Sequence, residues 1–333
     1  MRRVSAILVP LFACTGCSID AMQPRGEGAA SIAGLIWIFT GVAAVIWLIV
    51  VITLVLALAR RRSSVRLKPL PEQPVGEHRA TRIVSACVVL TALIVAALTL
   101  LSYMTGKSLA DMGAQTELTV EVTGQQWWWQ VTYDDPTSSR ILTTADEIHI
   151  PVGRPVRFKL MSTDVIHSFW VPSLSGKQDL IPNQINEITI RADKAGVYQA
   201  PCAEYCGLQH AHMRTLVIAE APSEFEAWRD SQLKPAAEPA DPETQRGALV
   251  FGTRGCAMCH AIRGTHAGGR VAPDLTHIAS RRTIAAGTLP MSRGSLAAWI
   301  RNPQGIKPGT NMPEVDLSPD ELNDLVAYLV TLK

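Results

Sequence analysis

The stretch Cys202-Ala-Glu-Tyr-Cys206-Gly-Leu-Gln-His210-Ala-His-Met213 brings two thiols, an imidazole and a thioether into one short segment of a 333-residue chain. Sulfur ligands combined with imidazole select copper over harder metal ions. A single copper ion needs only one of the cysteines, whereas two cysteines at this spacing can both bridge a pair of copper ions. His167, upstream in the chain, can supply the nitrogen that a second ion needs. The stretch therefore predicts a copper pair, with a zinc site or a disulfide as alternatives.

Residues 116–220, which surround this stretch, contain short runs of alternating apolar and polar residues, such as Leu118-Thr-Val-Glu-Val and Asn186-Glu-Ile-Thr-Ile. Alternation with period two predicts half-buried β-strands, and proline, glycine and aspartate separate the runs. Many short strands without intervening helices predict a β-sandwich or a small barrel. His149 lies in one alternating run, so we expect it to be structural rather than a metal ligand.

A distant histidine combined with the spacing C-x3-C-x3-H-x2-M closely resembles subunit II of cytochrome c oxidase, from the N-terminal apolar segments to about Ala219. The resemblance implies an all-β cupredoxin domain with a binuclear copper A site. The implied ligands are Cys202 and Cys206 as bridges, His167 and His210 as terminal nitrogens, and Met213 as the weak axial thioether. It further implies that the backbone carbonyl of Glu204 ligates the second copper ion. The Glu204 side chain would reach toward a magnesium ion at the boundary with the catalytic subunit.

The run Gln126-Trp127-Trp128-Trp129 also resembles an aromatic stretch of this family. In the family, the position of Trp127 is the proposed point at which electrons arrive from cytochrome c. Side chains alternate along a strand, so three adjacent tryptophans cannot all face one side. We expect at least one of them to meet solvent or a partner. The alternative is that Trp127 and Trp129 share the core face while Trp128 covers a neighbour.

Two positions depart from the family pattern. His212 lies where the family often has an aromatic residue, and we expect it at the surface or beside the ligands. The segment Glu77-His78-Arg79-Ala-Thr-Arg82 lacks the family's Glu-x-x-Trp-Thr-x-x-Pro pattern. A contribution of Glu77 to proton uptake therefore does not follow from the resemblance.

A second cofactor motif, Cys256-Ala-Met-Cys259-His260, lies further along the chain. This pattern attaches haem c, because its two thiols form thioether bonds and its histidine is brought to the iron. A helical segment at 244–253 precedes it. A second helical segment at 318–332 begins with the capping signal Ser-Pro-Asp-Glu. Residues 244–333 are therefore predicted to form a helical domain.

The segment Pro308-Gly-Thr-Asn-Met312-Pro313 resembles the sixth-ligand loop of class I cytochromes c. The resemblance implies an all-α class I cytochrome c domain with His260 and Met312 as the axial ligands of the haem. Pro273 resembles the residue whose carbonyl fixes the axial histidine ring. His266 and His277 are rival axial ligands, although neither lies in a matching loop.

Residues 232–243, between the two predicted domains, are rich in proline and alanine and have no apolar period, so they predict a semi-rigid linker. At about 3.1 Å per residue this linker spans at most about 37 Å. We therefore expect the cytochrome domain to be a tethered electron donor that needs no high-affinity docking surface.

Two apolar segments, Ser31 to Ala59 and Ile83 to Met104, are long enough to cross a bilayer. The segment between them is rich in arginine, which is expected on the cytoplasmic side. We therefore predict a two-helix transmembrane hairpin at 31–105 in a bacterial inner membrane, with the copper and haem domains on the outer, periplasmic side. Cys87, within the second segment, is expected to be a buried packing residue.

Residues 1–16 contain two arginines and then an apolar stretch that is too short to span a bilayer, which is typical of a signal peptide. Thr15-Gly16-Cys17 resembles the site of lipid attachment in bacterial lipoproteins, and Cys14 is a competing match. Lipid attachment at either cysteine and an ordinary leader are the alternatives.

The formal net charge of +2 gives no reason to expect a nucleic acid partner. The resemblance as a whole implies subunit II of a caa3-type haem-copper oxidase. Such a subunit accepts electrons from an upstream cytochrome and passes them to oxidase subunit I, where oxygen is reduced to water. The chain is then an enzyme component whose partners are the other oxidase subunits and membrane lipid. A copper A subunit of a nitric oxide reductase and a copper carrier or assembly protein are alternative functions.

Overall fold

The computed structural model describes residues 21–62, 77–111 and 116–333, so the predicted signal peptide and the loop at 63–76 lie outside the described residues. The helices are α1 (Glu27–Arg62), α2 (Glu77–Asp111), α3 (Pro222–Gln232), α4 (Pro242–Thr253), α5 (Cys256–Cys259), α6 (Arg293–Arg301), α7 (Pro303–Ile306) and α8 (Pro319–Leu329). The strands are β1 (Leu118–Gln125), β2 (Trp128–Tyr133), β3 (Leu142–Ala145), β4 (Glu147–Pro151), β5 (Val156–Ser162), β6 (His167–Trp170), β7 (Lys177–Leu180), β8 (Asn186–Ile190), β9 (Gly196–Pro201), β10 (Arg214–Glu220), β11 (Thr283–Ile284) and β12 (Leu289–Pro290).

Helices α1 and α2 are each long and apolar enough to cross a membrane, as the sequence predicts. Their large apolar side chains point outward, because Trp37, Trp47 and Leu93 are each more than 60% exposed in the isolated chain. Both helices extend beyond the predicted spans. The prediction that Cys87 is buried is wrong for the chain alone, since its thiol lies on the exposed surface of α2.

Residues 116–220, the β domain, form the expected layered β structure. One sheet has the strand order β3-β2-β1-β5-β8, in which β1 and β5 are parallel, and a second sheet has the order β4-β10-β9. The hairpin β6–β7 completes the domain. Residues of both sheets share one apolar core, which includes Val120 and Phe158 from the first sheet and Ile148 and Val217 from the second. The alternation in the sequence therefore places one face of each sheet in this core.

Helix α1 begins directly on the β domain. The backbone N–H of Arg25 donates to Ser173 O at 2.7 Å, and that of Ala29 donates to Leu174 O at 3.0 Å. Glu27, in the first turn of α1, pairs with Arg191 at 2.8 Å. The β domain is therefore held close to the first turn of α1.

Residues 244–333, the helical domain, have α4 packed across α8. Gly247 allows this approach, because a Cβ there would overlap the backbone carbonyl of Asp324. Arg246 pairs with Asp324 at 2.7 Å on the rim of the contact. Ser318 and Glu321 form the capping box that the sequence predicts at the start of α8. Apart from the short hairpin β11–β12, the elements described in this domain are helices joined by loops, as expected.

The segment between the two domains is shorter than predicted and is bound to the protein. The sequence does not predict α3, whose Trp228 packs against Tyr133 with ring centroids 5.3 Å apart. Residues 233–241 then follow the surface of the helical domain, where Arg263 donates to Leu233 O at 2.9 Å. The backbone N–H of Ala236 donates to Arg263 O, also at 2.9 Å. The linker is thus bound to the surface of the helical domain through hydrogen bonds to Arg263.

Candidate metal and haem centres

The loop at 202–213 connects β9 to β10 and is closed at its base. The two strands pair antiparallel, with Arg214 opposite Pro201, and the backbone N–H of Cys202 donates to Met213 O at 2.9 Å. This closure brings the two ends of the sequence motif together. Cys202, Cys206 and Met213 are all at most 5% exposed, so the sulfur atoms point into the domain rather than toward solvent.

The potential ligand atoms of this loop and of His167 lie at distances that suit metal binding. The separations are 3.8 Å from Cys202 Sγ to Cys206 Sγ, 3.6 Å from Cys206 Sγ to His210 Nδ1, 3.8 Å from Cys206 Sγ to Met213 Sδ, 4.0 Å from Cys202 Sγ to His167 Nδ1 and 3.2 Å from Cys202 Sγ to Glu204 O. Two ligands at about 2.3 Å from one ion in tetrahedral geometry lie about 3.8 Å apart. The sulfur atoms are too far apart for the ~2.05 Å bond of a disulfide, and both thiols are free.

His167 is fully buried, and Asp164 fixes the orientation of its ring. Its Nε2 lies 2.9 Å from Asp164 Oδ1, which leaves Nδ1 directed toward Cys202. The second carboxylate oxygen of Asp164 accepts from the backbone N–H of Gln126 at 2.6 Å. Carboxylates that hold ligating histidines in this way fix the tautomer of the imidazole. The sequence motif does not predict this role of Asp164. The signal that could have indicated it is an acidic residue shortly before the expected ligand His167.

The protonation of the cysteine pair favours cation binding. The hydrogen bond from Cys206, assisted by those of His167 and of nearby backbone groups, lowers the pKa of Cys202 to about 3. The same contact with Cys202, together with burial, raises the pKa of Cys206. The pair therefore holds one negative charge and one proton between its two sulfur atoms. A bound cation stabilises both thiolates and displaces that proton.

The pKa of His167 lies above its ordinary value. Burial lowers its pKa, but the hydrogen bonds with Cys202 and Asp164 outweigh the effect of burial. A protonated imidazole cannot ligate a metal, so binding at this site releases protons.

Glu204 has two separate environments. Its backbone carbonyl oxygen lies 3.2 Å from Cys202 Sγ. Its carboxylate instead reaches the surface, where Oε2 pairs with Lys177 Nζ at 3.1 Å, and the same ammonium contacts Asp179 at 3.1 Å. Magnesium prefers near-octahedral oxygen ligands. A magnesium ion at Glu204 would therefore have to displace Lys177 and take further ligands from water or a partner.

Two other histidines of the β domain have different surroundings. His149 Nδ1 lies 2.9 Å from Glu220 Oε1, and the imidazole stacks on Trp228 with ring centroids 4.0 Å apart. His149 is therefore structural, as predicted. His212 lies in the ligand loop and is exposed, and its Nδ1 is 2.8 Å from Gln209 Oε1.

Around α5, the helical domain arranges the haem-attachment motif. Gly255 precedes the helix with φ of 83°, a conformation that glycine adopts without strain. His260 Nδ1 lies 2.7 Å from Pro273 O, so that nitrogen donates to the carbonyl and Nε2 is left for an iron ligand. Burial lowers the pKa of His260, which keeps the imidazole neutral and able to ligate. Free thiols at Cys256 and Cys259 complete a donor set that fits covalent attachment of haem c.

The loop that carries Met312 is held by Gln304. The side-chain amide of Gln304 donates to Thr310 O at 2.7 Å and to Met312 O at 3.0 Å, and its Oε1 accepts from the backbone N–H of Gly309 at 3.0 Å. The Met312 side chain packs against the core of the helical domain. The sequence motif predicts the methionine but not the glutamine that shapes its loop.

The rival axial ligands have other positions. His277 uses both ring nitrogens in contacts with backbone carbonyls, 2.8 Å from Lys333 O and 3.1 Å from Lys234 O. His266 is exposed at the surface. Neither histidine is therefore arranged as an iron ligand in this structure.

The three tryptophans follow the alternative in which two of them face the core. Trp127 and Trp129 are 8% and 0% exposed, and Trp128 is half-buried. The indole N–H of Trp127 donates to Cys206 O at 2.9 Å, next to the ligand loop. The helical domain, rather than solvent, covers Trp127. The two domains are in direct contact, so the helical domain lies beside Trp127, as the short linker predicts. That the tether needs no high-affinity docking surface stays a prediction.

Comparisons with known proteins agree with both halves of the chain. Residues 135–220 match the family "Cytochrome C oxidase subunit II, periplasmic domain", and residues 244–333 match the family "Cytochrome c". "Cytochrome c oxidase subunit 2" of Alkalihalophilus pseudofirmus is 33% identical, over 96% of this chain and 93% of the relative. The protein of the same name from Bacillus sp. (strain PS3) is 31% identical, over 82% of this chain and 80% of the relative. The crystal structure of the periplasmic domain of subunit II of cytochrome oxidase (CoxB) of Bradyrhizobium japonicum is 28% identical with a TM-score of 0.34, and covers 35% of this chain and 94% of that chain.

Proposed function

Since this chain belongs to the cytochrome c oxidase subunit II family and carries a fused cytochrome c domain, we propose that it transfers electrons within a haem-copper oxidase. In this proposal the chain accepts electrons through a covalent haem c, and a copper A pair passes them to the catalytic subunit for reduction of oxygen to water. The observation that supports the proposal most directly is the buried set of sulfur and nitrogen ligands at 202–213 and His167. The β domain is the cupredoxin-like domain and the helical domain is the cytochrome c domain of the family.

The proposed ligands are those whose atoms converge in each domain. For copper they are Cys202, Cys206, His167, His210, Met213 and the backbone carbonyl of Glu204. For haem they are Cys256 and Cys259 as thioethers and His260 and Met312 as axial ligands. When bound, the copper pair and the haem iron each gain and lose one electron without a bond to substrate. The protein contributes rigid positions for these ligands, because Asp164 and Pro273 fix the two histidine rings.

Two apolar helices and the family together indicate a membrane-anchored protein with a periplasmic domain. We place α1 and α2 across a bacterial inner membrane and both cofactor domains on its periplasmic side. Tyr205, which is 75% exposed on the copper loop beside Glu204, belongs in this proposal to the surface that meets oxidase subunit I. A magnesium ion at Glu204 would lie at that same boundary. The electron donor would be a soluble or membrane-bound cytochrome.

Spectra of the purified chain test the proposal. We expect the electron paramagnetic resonance of a mixed-valence copper pair and the optical bands of a low-spin haem c in the same sample. One isolated copper ion per chain, or zinc in its place, would contradict the copper assignment. Oxygen consumption by the purified complex, compared with nitric oxide consumption under the same conditions, identifies the final electron acceptor.

The order of electron transfer is tested by flash reduction of the full-length chain. Because the two cofactor domains are in contact within one molecule, copper reduction after haem reduction should be first order. A rate that rises in proportion to protein concentration would show that electrons pass between molecules instead.

A further inference from the structure

The loop that carries Met312 is packed directly on the segment that carries Trp127. Gly309 lies so close that a Cβ at this position would be 3.4 Å from Cη2 of the Trp127 indole. On one side of this contact, the side chain of Gln209 donates to Pro308 O at 2.7 Å. The two domains are therefore in contact where the Met312 loop and the loop at 202–213 both lie beside Trp127.

Lys307 lies at the centre of this contact and is only 2% exposed. Its ammonium donates to Trp127 O at 2.7 Å, across the interface, and to Ala285 O at 3.1 Å within its own domain. Lysine is almost never fully buried unless it is paired. Transfer of an ammonium out of water is unfavourable unless geometry and counter-charge compensate. A buried lysine at this position therefore indicates that the two domains pack in one specific orientation and not through a non-specific contact.

The counter-charge for Lys307 comes from the other domain. Asp146 is 6% exposed, and its carboxylate accepts from the backbone N–H of Trp129 at 2.8 Å. Burial lowers the pKa of Lys307 to about 8, against an opposing effect of the Asp146 carboxylate. Burial likewise raises the pKa of Asp146 to about 6. If the domains shifted relative to one another, Lys307 would lose both the Asp146 counter-charge and its hydrogen bond to Trp127 O.

We infer that Lys307 is a positioning residue that locks the cytochrome c domain onto the copper domain in one arrangement, with the Met312 loop against Trp127. This inference rests on the proposed function, because the orientation matters only if electrons cross the contact. It also changes the role of Trp127 from the one that the resemblance implies. The indole is closed to a free cytochrome, so an external donor delivers electrons to the fused cytochrome domain and not to Trp127.

Two backbone N–H groups report on the docked arrangement without any cofactor. The N–H of Arg282 donates to Glu147 Oε2 at 2.9 Å, and the N–H of Arg214 donates to Ala286 O at 3.0 Å. Both bonds cross between the two domains. Hydrogen exchange at these amides therefore measures how often the domains separate, whereas amides of the paired strands β1 and β2 measure opening of the β domain itself.

The test is Lys307→Met in the full-length chain in detergent, with amide hydrogen exchange followed by mass spectrometry. We expect exchange at Arg214 and Arg282 to rise roughly tenfold, because the substitution removes the donor for both carbonyls. Exchange within β1 and β2 should not change. Lys333→Met is the matched control, since Lys333 is an exposed lysine of the same domain.

Unchanged exchange at both reporters in Lys307→Met would overturn the inference. A rise that includes β1 and β2 would also overturn it, because Lys307 would then support the fold and not the docking. If Lys307→Met does not fold, Lys307→Gln is judged by the same criteria, since glutamine keeps one donor with a shorter reach. The spectra of copper and haem are recorded on the same samples. Their absence in the wild-type chain would contradict the proposed function, whereas the exchange result would still decide the role of Lys307.

Discussion

Replacing Asp164 with asparagine tests whether this carboxylate determines how tightly the copper site holds its metal. Its two oxygens accept from His167 Nε2 at 2.9 Å and from the backbone N–H of Gln126 at 2.6 Å. Asparagine has the same shape, but its NH2 group cannot accept, so one of these N–H groups loses its partner. A hydrogen bond to a charged group contributes about 1.5–3 kcal/mol. Every 1.4 kcal/mol is about tenfold in an equilibrium constant, so we expect roughly 10- to 100-fold weaker copper binding.

The assay is competition for copper between the purified chain and a chelator of known affinity, followed through the copper absorption. Asp230→Asn is the matched control, because Asp230 is 61% exposed and pairs only at the surface with Arg140. Exposed ion pairs contribute about 0–1 kcal/mol, and this one is not among the ligand contacts. A competition midpoint for Asp164→Asn that coincides with that of wild type would refute the reasoning. A simultaneous loss of the haem bands would show that the substitution acts on the whole chain rather than on His167.

Three further predictions concern the two centres and the pH dependence of stability. Cys206→Ser should remove the copper pair and leave the haem bands intact, because the centres share no ligands; two copper ions per chain by metal analysis would contradict this. Met312→Ala should lower the haem reduction potential, since a thioether ligand raises it; an unchanged potential in a redox titration would assign the sixth ligand elsewhere. Burial lowers the pKa of His149, but its hydrogen bonds to Glu147 and Glu220 have a larger, opposite effect, so the pKa is raised overall. The stabilising effect of this ion pair, measured against His149→Gln in urea unfolding, should be complete below about pH 6.5 and disappear as pH rises through the raised pKa; a difference that grows with pH would contradict it.

The ligand positions follow from the sequence where the motif is local. Residues 202–213 form one loop between paired strands, so the spacing of the cysteines, the histidine and the methionine directly reflects the geometry of the site. The haem motif is local in the same way, because Cys256, Cys259 and His260 occupy one short helix and its end. The sequence names His167 as a candidate ligand, but only the folded sheet brings β6 to the loop.

The contact between the domains depends on residues far apart in the chain, and no local pattern predicts it. Lys307 and Trp127 meet across the two domains, and a lysine in a loop is ordinarily expected in water. Likewise, the proline-rich composition of residues 233–241 predicts an extended segment but not the carbonyl contacts that bind it to the helical domain. Composition determines the stiffness of such a segment, whereas its course depends on the surface beside it.

Trp127 contacts both the copper loop and the helical domain, so a substitution at this residue alone cannot separate the effects of the two contacts. Its indole N–H is bound to Cys206 O in the copper loop, and its backbone carbonyl is bound to Lys307 of the helical domain. A slow electron transfer in Trp127→Phe would therefore combine an altered route with a disturbed copper loop. Lys307→Met leaves the indole and its bond to Cys206 in place and removes only the docking contact. Asp164→Asn removes the support of His167 and leaves the docking contact in place. Comparing the two variants thus separates the effect of domain position from that of copper geometry, because each changes one of the two features that meet at Trp127.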